Sequence, residues 1–149
     1  METNIEILND LIKINNDRIK GYEKAANETA AEDSDLRQLF NDMADESRTL
    51  AQELKNHTVG KGPSPDGEAT LAGSIYRVWM DVKATFSGKG RRAILDSCEF
   101  GEDAAQKAYE SALKKEDLSS DIREMISNQK AKLKESHDKI KRMRDTQTA

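Results

Sequence analysis

Apolar residues recur along this chain at spacings of three and four, the period of a helix with one buried face. Ile5, Leu8, Ile12, Ile19, Tyr22 and Ala26 trace the first such stripe and predict a helix over about 3–31, with Thr3 and Glu6 as a capping box at its start. The acidic turn EDSD at 32–35 separates it from a second helix over about 35–58, striped by Leu36, Phe40, Met43, Leu50 and Leu54. The only prolines, Pro63 and Pro65, stand in VGKGPSPDGE and make the one clear break. Beyond it, Leu71, Ile75, Val78, Val82 and Phe86 predict a shorter helix over about 68–86, ended by SGKG at 87–90. Two long helices follow, over about 91–115 and about 120–145. The second carries Ile122, Ile126, Leu133, Ile140 and Met143 on one face.

Length and connection turn this list into a topology. The four long helices span about 24–29 residues each, or roughly 36–43 Å at 1.5 Å per residue. Between the second and the next long helix lie about 30 residues, enough to return along a whole bundle. An up-down bundle needs only a short link there, so the spacing predicts an all-α, ferritin-like four-helix bundle with an additional crossover helix between helices 2 and 4 of the five. A single domain over 1–149 is expected from the length.

Four polar residues interrupt the stripes of the long helices: Asn15, Ser47, Glu102 and Gln129. Counted from one end of the bundle, they fall within one or two turns of each other. They predict a polar core layer with one member from each helix. In this reading Gln129 and Asn15 donate to Glu102. Neutral donors would make Glu102→Gln tolerated or mildly stabilising, because the shape is kept and a buried charge is removed. The competing reading is a ligand site. Glu23, Glu99, Glu102 and His137 are the residue types of a carboxylate-bridged di-iron or di-manganese centre. That reading has a defect. Such centres use Glu-x-x-His on two helices, whereas Lys134 stands three before His137 and Leu54 three before His57.

Composition narrows the function classes. Charged residues make up 35%, while Leu, Ile, Val and Phe reach only about 18%. The surface is therefore heavily charged and the core lean. A lean core points to self-association as a homodimer. The net charge of −4 argues against general nucleic-acid binding. No apolar run approaches ~18 residues, so no membrane span is expected. The acidic start METNIEILND lacks the basic end of a secretory signal, which makes a cytoplasmic location the default. The single cysteine, Cys98, lies on a core stripe and reads as a packing residue. SGKGRR at 87–92 lacks the spacing of a phosphate loop. The basic run from Lys130 to Arg144 complements the negative end of its helix and reads as a solvated face. No nucleophile–base pairing suggests catalysis, so no catalytic residue is assigned.

NDLIKINNDRIKGYEKAA at 9–26, AGSIYRVWMDVKA at 72–84, ILDSCEFGEDAAQKAYESAL at 94–113 and SHDKIKRMRD at 136–145 together resemble an uncharacterised bacterial family of ferritin-like four-helix-bundle proteins. The resemblance covers nearly the whole chain and implies the ferritin-like fold. It implies no activity. Ferritin-like proteins at large include iron oxidases and stores, and the missing Glu-x-x-His pair separates this chain from them. The resulting expectation is a non-catalytic bundle acting by binding or assembly, with a stress-related role by association and no cofactor. A degenerate di-metal carboxylate protein is the alternative.

Overall fold

The computed structural model describes residues 2–29, 33–58 and 91–146. These form four α-helices and no strand: α1 (Glu2–Glu28), α2 (Ser34–Asn56), α3 (Arg91–Leu113) and α4 (Ser120–Asp145). The expected helix over about 68–86, and with it the crossover, lies outside the described residues.

The helices pair as two hairpins, α1 with α2 and α3 with α4, and α1 also packs on α3. Each hairpin is stitched at its turn by an arginine that donates to backbone carbonyls at the end of the preceding helix. Arg37 Nη2 donates to Thr29 O (2.7 Å) just past the end of α1. Arg123 donates through Nη1 to Leu113 O and through Nη2 to Lys115 O, both at 2.6 Å. Carbonyls at a helix C-terminus have no intrahelical partner, and a guanidinium supplies both a donor and a favourable charge. The Ser119 amide donates to Asn4 Oδ1 (3.4 Å), which puts the start of α1 beside the α3–α4 turn.

The expected boundaries are met within a few residues, with two differences. α1 starts at Glu2, ahead of Thr3, so a capping box there would fall inside the helix. Asp33 takes the N-cap position of α2, but its side chain makes no cap hydrogen bond.

One core joins all four helices, and Leu8, Ile12, Leu36, Phe40, Leu54, Leu95, Tyr109, Ile126 and Ile140 are among its fully buried members. The stripes read from the sequence supply most of it. Ile19, Ile122 and Met143 are only partly buried at its margin. α1 is buried on a second line as well, through Ile7, Leu11, Ile14 and Asp17. An amphipathic surface helix has one apolar stripe, whereas α1 is enclosed on most sides and sits deepest in the described bundle.

Candidate functional site

At mid-height the core is crossed by polar side chains. Asn15, Ser47, Glu102 and Gln129 are all essentially without solvent exposure. So is Arg18, the largest fully buried side chain among the described residues. Arg18 and Asn15 project from neighbouring turns of α1, three residues apart and therefore on one face. Ser47 comes from α2, Glu102 from α3 and Gln129 from α4.

Arg18 organises this layer. Its Nε donates to Glu102 Oε1 at 2.5 Å, and Nη2 reaches Glu102 Oε2 at 3.3 Å. Nη1 donates to Ser47 Oγ (2.7 Å) and Met43 O (3.1 Å). Nη2 also lies 3.0 Å from Glu46 Oε1. The Tyr22 ring packs against the guanidinium, with Cζ 5.1 Å from the ring centroid, and Phe40 stacks on Tyr22. The Tyr22 hydroxyl donates to Glu102 Oε1 at 3.0 Å. Glu102 thus receives a two-pronged guanidinium and a phenol, a donor set that can compensate a carboxylate removed from water.

The layer continues as a relay of neutral groups. Ser47 Oγ donates to Asn15 Oδ1 (2.9 Å), and Asn15 Nδ2 donates to the Tyr109 hydroxyl (2.8 Å). Tyr109 donates to Gln129 Oε1 (2.7 Å). Gln129 Nε2 donates in turn to Leu50 O (3.1 Å) and Glu53 Oε1 (2.7 Å). Asn15 and Gln129 therefore do not donate to Glu102, contrary to the sequence expectation. They meet at Tyr109, and the donors to Glu102 are Arg18 and Tyr22.

Electrostatics follow from this packing. Burial opposes the Arg18 charge, but Glu102, Tyr22 and Glu46 acting together outweigh it and raise the guanidinium pKa above its usual value. Burial, reinforced by the Glu102 charge, pushes the Tyr22 hydroxyl and the Cys98 thiol well above their ordinary ranges. Burial also raises Tyr109. Each of these three groups is held in its protonated form, so none is prepared to act as a base or nucleophile at neutral pH.

The residues considered as metal ligands separate into three places. Glu23 is at the surface and pairs with Arg48 of α2, which also holds Asp45. Glu102 is engaged by Arg18 in the core. Glu99 and His137 meet across α3 and α4, with His137 Nε2 3.8 Å from Glu99 Oε1. Asp103, one turn beyond Glu99, joins them at 2.7 Å from the same Nε2. A di-metal centre in the polar layer does not fit these residues. A guanidinium faces both oxygens of Glu102, and the other carboxylates that reach the layer, Glu46 and Glu53, are engaged by Arg18 and Gln129.

Arg18, Tyr22, Tyr109 and Asp103 were not identified as polar-site residues from the sequence. Arg18 carried a signal. It lies on the line Asn4, Leu11, Arg18, Ala25, seven residues apart each time, a line buried along its length. A buried carboxylate also calls for a buried cation more strongly than for neutral donors.

No curated protein and no solved structure matches the chain. A family model matches residues 3–115, a span that holds Asn15, Arg18, Ser47, Glu102 and Tyr109 and ends before Gln129 and His137. On that match the chain belongs to the family described as domain of unknown function (DUF2383).

Proposed function

We propose that this protein is a non-catalytic helical bundle, ferritin-like in its connection, that acts by binding or assembly. The observation that carries the reading is the buried Arg18–Glu102 pair. Glu102 is the most deeply buried carboxylate among the described residues, and its oxygens accept from Arg18 Nε and Nη2 and from the Tyr22 hydroxyl. A general acid or base must exchange protons with a substrate, and a metal-bridging carboxylate must offer free lone pairs. Here those lone pairs face a fixed internal cation. Cys98, Tyr22 and Tyr109, the other reactive groups nearby, are fully buried and kept protonated.

A satisfied polar layer has a different use. It fixes the register of four helices whose apolar surface is lean, since any slide of one helix would leave charges and amides unpaired. A cytoplasmic, stress-related role and a homodimer belong to the same reading. Light scattering at tens of micromolar is expected to show a dimer; monomer only would remove that part of it.

The alternative is a di-iron or di-manganese protein. It would require Arg18 to leave Glu102, Ser47, Glu46 and the Met43 carbonyl together. Protein purified without chelator and supplied with Fe²⁺ or Mn²⁺ separates the two readings. The proposal expects no oxygen-dependent absorbance. About two metals per chain, with such absorbance and with loss of both metals in Glu102→Gln, would overturn it.

A further inference from the structure

Outside the core layer, α3 and α4 bring three metal-ligating side chains to one place. Glu99 and Asp103 are four residues apart on α3 and so share a face. His137 reaches them from α4. One ligand atom from each lies within 4.8 Å of the others. His137 Nε2 stands 2.7 Å from Asp103 Oδ1 and 3.8 Å from Glu99 Oε1. Two ligands held at about 2.1 Å from a tetrahedral zinc ion are separated by about 3.4 Å. The observed separations bracket that value.

We propose that Glu99, Asp103 and His137 bind one divalent transition-metal ion of the zinc type, clipping α3 to α4.

His137 Nε2 is the first indication of a cation site. It is buried from solvent and has no hydrogen-bond partner. Its short approach to Asp103 is a contact without hydrogen-bond alignment. Buried polar atoms in folded proteins are rarely left this way. The other ring nitrogen, Nδ1, lies 3.1 Å from Asp138 Oδ1, and Lys134 Nζ donates to Asp138 Oδ2 at 3.0 Å. With a proton on Nδ1, donated to Asp138, the Nε2 lone pair is directed away from that partner. A carboxylate behind the distal ring nitrogen is the usual support of a metal-bound histidine. A lone pair beside two carboxylates is repulsive in the absence of a cation and attractive with one.

The second element is the division of labour at Glu99. Its Oε2 is bonded by Arg144 Nη1, while Oε1 is the oxygen that faces His137. Arg144 thereby orients the carboxylate for one-oxygen ligation. Its positive charge is shared with Asp96 and Asp145. Glu99 and His137 are mostly buried, whereas Asp103 is half-exposed, so an ion enters from the Asp103 side and leaves a coordination position for water. One imidazole and two carboxylates favour zinc and its neighbours in the first row. Calcium and magnesium prefer larger all-oxygen shells, and no thiolate is offered for a soft ion.

This inference does not use the Arg18 layer and stands or falls separately from it. The test is isothermal titration of the chelator-stripped full chain with zinc chloride, alongside Asp103→Asn, His137→Gln and His57→Gln. His57 is the only other histidine and controls for adventitious binding. The expected result is one zinc per chain, with affinity lowered at least tenfold in Asp103→Asn and His137→Gln and unchanged in His57→Gln. Circular dichroism should show each variant folded; Asp103, being half-exposed, tolerates its substitution in any case. No binding at 100 µM (about the weakest affinity worth calling a site), or wild-type binding by either Asp103→Asn or His137→Gln, would overturn the proposal.

Discussion

Glu102→Gln keeps the shape of the side chain and removes its charge. In the folded chain this leaves the Arg18 guanidinium, itself without solvent exposure, in a cavity it cannot escape. Removing one member of a buried ion pair costs about 3–5 kcal/mol, because the other charge stays desolvated. Here Glu46 remains at 3.0 Å and is 28% exposed, so it compensates in part. The expected loss is about 2–4 kcal/mol, a large share of the ~5–15 kcal/mol that holds a domain folded. The neutral-donor reading of the sequence predicts the opposite sign, and Arg18 is the reason for the reversal. Arg18→Met should cost a similar amount, since it leaves Glu102 with only the Tyr22 hydroxyl. In the double variant Arg18→Met/Glu102→Gln neither charge is stranded, and Tyr22 can still donate to the amide oxygen. Its loss should therefore fall short of the sum of the single losses by about 2 kcal/mol or more. Urea unfolding of the four proteins gives the coupling directly, provided their m-values agree. A Glu102→Gln loss under about 0.5 kcal/mol, or a coupling near zero, would refute the reasoning.

Asp17 offers a test in pH. Burial raises its pKa to about 6, against partial relief from Lys20 and Lys13. In the unfolded chain the group titrates near 3.9, so the folded state binds the extra proton between about pH 4 and 6 and this group's contribution to stability falls as pH rises through that window. Asp17→Asn should therefore stabilise by about 1–3 kcal/mol at neutral pH and by almost nothing near pH 4; an equal effect at both would contradict the cause given. Cys98, buried with its thiol held protonated, should react with Ellman's reagent only as fast as the chain unfolds. Rapid labelling under native conditions would show that the core opens at α3.

The sequence made the helices legible because each long stripe has a single period and bounded ends. Leu36, Phe40, Met43, Leu50 and Leu54 could only be satisfied by burial on one side, and all five are buried. Asn15, Ser47, Glu102 and Gln129 were equally visible, as polar residues where that period demands apolar ones. Their partners are far fainter in the sequence. Arg18 looks like an ordinary surface arginine until α1 is seen to be enclosed on a second line by Ile7, Leu11 and Ile14. The hydroxyls of Tyr22 and Tyr109 find partners on other helices, 80 and 20 residues away in sequence. Asp103 sits off the core stripe, and its proximity to His137 depends on how α3 and α4 rotate against each other. Such rotations are set by side-chain packing and leave no mark in a one-dimensional pattern.

The middle of the bundle is closed by its own arginine. Crystals grown from chelator-free protein and soaked in Mn²⁺ would test this by anomalous diffraction. The prediction is no anomalous peak among Glu102, Ser47 and Gln129, with Arg18 Nε still bonded to Glu102. Two peaks about 3.5–4 Å apart beside Glu102, with the Arg18 side chain displaced, would contradict it.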